Sequence, residues 1–115
     1  MKYMLLIYTN ESAVTDYSQA DIDQSIEAYN SYIQSMAEAG VFLSAEGLQP
    51  TAAATTVRVH NGSAITTHGP FAETTEQLGG YVLIECDNLD QAIEWAGKCP
   101  TAPYGSVEIR PVMSY

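Results

Sequence analysis

The chain is poor in positive charge. Only Lys2, Arg58, Lys98 and Arg110 stand against 14 acidic residues, a net charge of -10 over 115 residues. A nucleic-acid surface needs clustered Lys and Arg to replace phosphate counterions, and four scattered cations exclude one. The same shortage argues against an anionic membrane surface. Long apolar runs are also missing: none approaches the roughly 18 residues of a membrane span. The apolar start at residues 4–7 is too short for a signal-peptide core, so a cytoplasmic chain is expected. Cysteine and histidine number two each, with no CxxC or HxxxH spacing. Zinc and iron–sulfur ligation are therefore not expected, nor is any other metal or cofactor. Cys86 and Cys99 read as reduced, buried thiols.

What is present is ordinary globular material, 46% hydrophobic, at a length that fits one domain over residues 1–115. Residues 2–9 form an unbroken apolar run, expected as a strand buried on both faces. Residues 10–17 read as a loop. Ser18 and Asp21 form a capping-box pattern that opens a helix. Ile22, Ile26, Tyr29, Ile33, Met36 and Ala37 mark its expected inward stripe, and Gly40 ends it. Residues 41–45 suggest a short strand. Asn61-Gly62 between apolar alternations predicts a two-residue hairpin, with a return strand over 63–67. Residues 68–71 read as a turn and 72–80 as a polar connection. Residues 81–86 form a second doubly apolar strand. A second helix is capped at Asp87 or Asn88, with Leu89, Ala92, Ile93 and Ala96 inward. A last strand alternates Val107, Ile109 and Pro111 with Glu108 and Arg110.

The order is β-α-β, a hairpin, then β-α-β. It predicts an α+β, ferredoxin-like antiparallel sheet with both helices on one face. Strands one and three should be central. The other face would then be large and apolar, which is unusual in a monomer. A homodimer with sheets meeting face to face, a dimeric α+β barrel, is the expectation.

The stretch HGPFAETTEQLGGY (68–81) resembles the signature of the DGPF group of the YCII-related family. YMLLIY (3–8), AGVFLSAEGLQP (39–50), TTVRV (55–59) and PTAPYGSVEIRPVM (100–113) are similar to that group in the same order. The resemblance implies a dimeric α+β barrel. It also implies a pocket in which related proteins use a His–Asp pair for acid–base chemistry. This sequence departs from that pattern. Tyr29 stands where the family His lies on the first helix, His68 replaces the Asp of the motif, and Thr75 replaces a Lys.

The candidate catalytic residues are accordingly Tyr29, Glu46 and His68. A phenol is a hydrogen bonder or weak acid, ordinarily titrating near about 10. A carboxylate at a strand end is a candidate acid or base, and imidazole exchanges protons near neutral pH. Arg110, Phe71 and Tyr81 are the candidate ligand contacts. Each has a plainer reading: Tyr29 as a core aromatic, Glu46 as an acceptor for turn amides, His68 as a turn residue, Arg110 as half of an ion pair. Three functions remain open. The first is binding of a small organic molecule between sheet and helix, with a regulatory role. The second is a cofactor-independent lyase or isomerase acting on a small organic acid. The third is a purely structural dimer. Enzymatic turnover is left undecided.

Overall fold

The structure is a computed structural model that describes residues 1–14 and 16–115. Strand β1 spans Lys2–Thr9, β2 Phe42–Gly47, β3 Thr55–His60, β4 Ser63–His68, β5 Gln77–Glu85 and β6 Ser106–Pro111. Helix α1 spans Glu11–Val14, α2 Gln19–Glu38 and α3 Leu89–Gly97. Four strands form one antiparallel sheet in the order β2-β5-β1-β6, and β3 and β4 form a separate two-stranded sheet. This is the ferredoxin-like α+β arrangement, with the hairpin inserted between β2 and β5. The two doubly apolar strands, β1 and β5, occupy the centre as expected. One chain forms an open sheet, not a closed barrel.

Local chemistry explains the elements that the sequence marks most clearly. Ser18 Oγ accepts from the Asp21 amide, and the Asp21 carboxylate accepts from the Ser18 amide, both at 3.1 Å. The box satisfies two backbone donors that the first turn leaves free. Gly40 follows α2 at φ 77°, a conformation that costs a side chain dearly. Asn61 and Gly62, at φ 50° and 79°, turn β3 into β4, as the twist of a tight hairpin requires. Asn88 caps α3 by accepting from the Gln91 amide.

The core lies between the sheet and the two long helices. Tyr3, Leu5 and Ile7 of β1 and Val82 and Ile84 of β5 meet Tyr32 and Met36 of α2, Ala92 and Ala96 of α3, and Cys99. Fully burying a side chain such as Leu5 or Met36 stabilises by about 1.5–3 kcal/mol. The molecule is 19 Å thin along its shortest axis. That is roughly one sheet plus one helix layer, at the ~10 Å spacing of packed layers. The sheet's second face, with the half-buried Met4, Leu6, Tyr81 and Leu83, has no helix over it among the described residues.

Several expectations need correcting. The 10–17 segment is not all loop: α1 forms there, with Glu11 accepting from the Thr51 amide and hydroxyl. Thr15, in the same expected loop, lies outside the described residues. The polar connection over 72–80 ends early, because β5 begins at Gln77. Pairing with β1 recruits residues whose composition alone does not suggest a strand. The stripe of α2 is rotated and shorter than expected. Tyr32 is buried and Ile22, Ile26 and Ala37 are exposed. At about 1.5 Å per residue α2 is ~30 Å long, whereas the six-residue β2 beneath it spans ~20 Å, so its N-terminal turns overhang. On α3, Ala92 and Ala96 are buried, but Leu89 and Ile93 are exposed and Trp95 packs against the core instead. The small Ala pair lets α3 settle close to the sheet.

Candidate functional site

A cavity of about 410 Å³ opens between α2 and the β2–β5 half of the sheet. Ile7 and Val82 form its apolar floor, and Tyr29 and Ile33, one turn apart, form its helical wall. Thr9 ends β1 at one side, and Thr101 enters from the turn after α3.

Two glycines shape the strand side. The β1–β5 register shifts between Ile7 and Tyr8, which face Gly80 and Leu78, so Gly79 is the unpaired extra residue of a β-bulge. Bulges re-aim a strand beside a site; here Gly79 O accepts from the Leu48 amide at 2.8 Å and turns the chain along the cavity wall. At Gly80, a Cβ would lie 2.8 Å from Glu46 O and 3.3 Å from Gly47 Cα. Only a residue without a side chain lets β2 approach β5 so closely.

The polar centre is a knot of hydroxyls. Tyr29 Oη hydrogen-bonds the hydroxyl of Thr101 and lies 3.4 Å from Cys99 Sγ. The Tyr29 ring meets that of Tyr32 edge to face, with centroids 6.3 Å apart, a favourable aromatic geometry. Tyr32 Oη in turn donates to Trp95 O at 2.7 Å, tying α2 to α3. Burial pushes the Tyr29 hydroxyl well above the ordinary phenol range. The Cys99 contact adds to this, while the Thr101 hydrogen bond opposes it. Tyr29 is thus a neutral donor and acceptor, not a base.

The expected site residues divide into two groups. Tyr29, Glu46 and Tyr81 all border this cavity. Glu46 and Tyr81 sit opposite each other on β2 and β5, in a row continuing to Leu6 and Glu108. That row lies on the sheet face away from Val82, so the pair bounds the cavity where the strands meet. His68, Phe71 and Arg110 are placed elsewhere. His68 ends β4 opposite Thr55 and is exposed. Phe71 is 77% exposed beyond the turn. Arg110 Nε donates to the Glu108 carboxylate at 3.2 Å on the open sheet face, the ion-pair arrangement.

Sequence reasoning did not single out Thr9, Thr101 or the Gly79 bulge, and it read Cys99 as a buried thiol without placing it beside Tyr29. The signal for Thr101 was its place in PTAPYG, directly after the helix and between two prolines.

A larger groove, of about 740 Å³, runs between α2 and the end of α3 with the turn after it, past Tyr17, Trp95 and Tyr104. It is the more open of the two. Its charged groups have other duties: Asp21 caps α2, and the Lys98 ammonium sits 4.6 Å from the Trp95 ring centre. The α2–sheet cavity, less open and more apolar in its lining, is the better candidate. Among the described residues no three His, Cys, Asp or Glu side chains gather as a metal site, and no helix is long and apolar enough to cross a membrane. Cys86 and Cys99 are free and buried.

The YCII-related domain family matches residues 1–115. An uncharacterized protein of Rhizobium meliloti (strain 1021) is 37% identical over 117 aligned positions, which cover all of this chain and 94% of that relative. With the match running the full length of a ferredoxin-like chain, the protein belongs to the YCII-related family.

Proposed function

We propose that the protein binds a small, uncharged organic molecule bearing hydroxyl or carbonyl groups in the cavity between α2 and the sheet. The observation that carries this reading is the cavity's lining. Its convergent polar side chains are the neutral hydroxyls of Tyr29, Thr101 and Thr9, with Tyr81 and the single Glu46 carboxylate at its border, and no Lys, Arg or His borders it among the described residues. Hydroxyls on an apolar floor orient a neutral ligand without the cost of desolvating a charge. The working form is a homodimer in which the uncovered sheet faces meet. Met4, Leu6, Tyr81 and Leu83 supply the apolar area for that contact. Free, buried thiols agree with a reducing, cytoplasmic setting, and a binding protein of this kind suits a regulatory role.

One observation favours the lyase or isomerase alternative: Glu46 borders the same cavity as Tyr29. Thermal-shift screening with neutral and anionic small molecules separates the readings. Neutral hits are expected. Tyr29→Phe or Thr101→Val should weaken a hit about tenfold, the worth of roughly one hydrogen bond, while Glu46→Gln changes little. Hits that are all anionic and vanish in Arg110→Ala would defeat the proposal. Turnover abolished by Glu46→Gln would establish the enzyme instead.

A further inference from the structure

The β3–β4 hairpin is an arm with nothing to rest on. Its strands pack on each other and on no other element to any extent, and every residue in them except Thr56 is exposed. A lone two-stranded hairpin is at best marginally stable in water. Its charge is also unlike that of the rest of the chain. Residues 47–72 contain Arg58, His60 and His68 and not one of the 14 acids, which all fall outside this segment. The register places Arg58 opposite Ile65 and His60 opposite Ser63, so one face of the arm combines a cation, an imidazole and an aliphatic side chain.

A surface of matching character lies on the overhanging half of α2. Ile22 and Ile26 are 41% and 55% exposed, with Asp23 and Glu27 each next in sequence. Steps of four and three put Ile22 and Ile26 in line with Tyr29 and Ile33, the helical wall of the cavity. The apolar wall therefore runs on past the sheet, uncovered and flanked by carboxylates.

We infer that the arm of one copy lies across the Ile22–Ile26 stretch of α2 in a second copy, with Ile65 against the isoleucines and Arg58 facing Asp23 and Glu27. Charge complementarity selects this occupant: an arm with no acid meets an acidic helix of the same protein. It also selects the arm's face, because the opposite face, with Thr55, Val57, Val59, Ala64, Thr66 and His68, has an imidazole but no Arg or Lys to meet Asp23 and Glu27. The second copy thereby extends the wall of the first copy's cavity, so the complete site belongs to the pair. This goes beyond the meeting of sheet faces proposed above and does not require it.

Disulfide trapping between full-length copies of different mass tests the contact, because native Cys86 and Cys99 are buried. Copies carrying Ile65→Cys mixed with copies carrying Ile26→Cys should form a mixed cross-linked dimer. Val59→Cys in place of Ile65→Cys should not. Arg58→Glu should raise the dimer dissociation constant about tenfold, as expected for losing and reversing an interfacial charge contact. Asp23→Lys with Glu27→Lys should restore it. The proposal is overturned if a chain carrying both cysteines closes the bond within itself, if Val59→Cys traps and Ile65→Cys does not, or if Arg58→Glu leaves dissociation unchanged. Leu6→Asp keeps the two ideas apart. A dimer that Leu6→Asp dissociates, with no arm cross-link, refutes the arm contact alone; a chain that stays monomeric at micromolar concentration refutes both.

Discussion

Gly105→Ala is a one-methyl change that should injure both the fold and the site. Gly105 closes the turn after α3, its amide donating to Thr101 O at 2.8 Å. A Cβ built there lies 2.8 Å from Thr101 Cγ2, 3.2 Å from Thr9 Cγ2, and closer still to Tyr8 O. The Tyr8 carbonyl cannot retreat, because β1 is held between β5 and β6. The Thr101 turn must give way, drawing its hydroxyl from Tyr29. Overpacking usually costs about 1–3 kcal/mol, and a clash against fixed backbone belongs at ~3. For a chain of this size that lowers Tm by about 10 °C. Gly97→Ala is the control: the last residue of α3 has nothing within 4 Å of its would-be Cβ. Ala is the better helix former, so up to about 1 kcal/mol of gain is expected. Differential scanning calorimetry on both variants, with the affinity of any neutral ligand for Gly105→Ala, gives the comparison. Equal melting temperatures for the two variants would refute the packing argument. A destabilised Gly105→Ala that binds as tightly as the parent would refute the coupling of Thr101 to the cavity.

Alkaline pH should destabilise the protein through its buried phenols. Burial raises the hydroxyls of both Tyr29 and Tyr32, so the folded state keeps its protons to higher pH than the unfolded chain does. Their stabilising contribution is complete below the unfolded phenol value of about 10 and declines above it. Thermal melts should therefore fall beyond that pH, and Tyr32→Phe should flatten the fall; an unchanged slope would count against it. Ser18→Ala removes the acceptor of the α2 capping box and should cost about 1 kcal/mol, read as a lower urea midpoint at constant m-value.

Elements set by neighbouring residues were legible in the sequence. The Ser18–Asp21 box, Gly40 and Asn61-Gly62 act within four residues of themselves, and each lies where its chemistry indicates. Features that depend on distant partners were not. Gln77 to Gly80 become strand because β1 is there to pair with them. Tyr32 turns inward because α3 offers the Trp95 carbonyl. The site divides along the same line. Tyr29 was visible on an apolar helical stripe, whereas Thr101 reaches it from 72 residues away through the return of α3 to β6. His68, attractive as an imidazole inside a motif, sits on the arm rather than in the cavity of its own chain.

The position of β1 constrains how the chain can be made. Strand β1 is bonded on one side to residues 77–85 and on the other to 106–111, both made after it. Before those strands leave the ribosome, only α2 and the β3–β4 hairpin can form from local contacts. β1 meanwhile waits with both hydrogen-bonding edges unpaired and both apolar faces open. Long-range pairing of this kind slows folding and lengthens exposure to aggregation. A chain that stops short of β6 has no complete sheet to fold, so ending it after Gly105 should be far more damaging than the loss of one six-residue edge strand suggests.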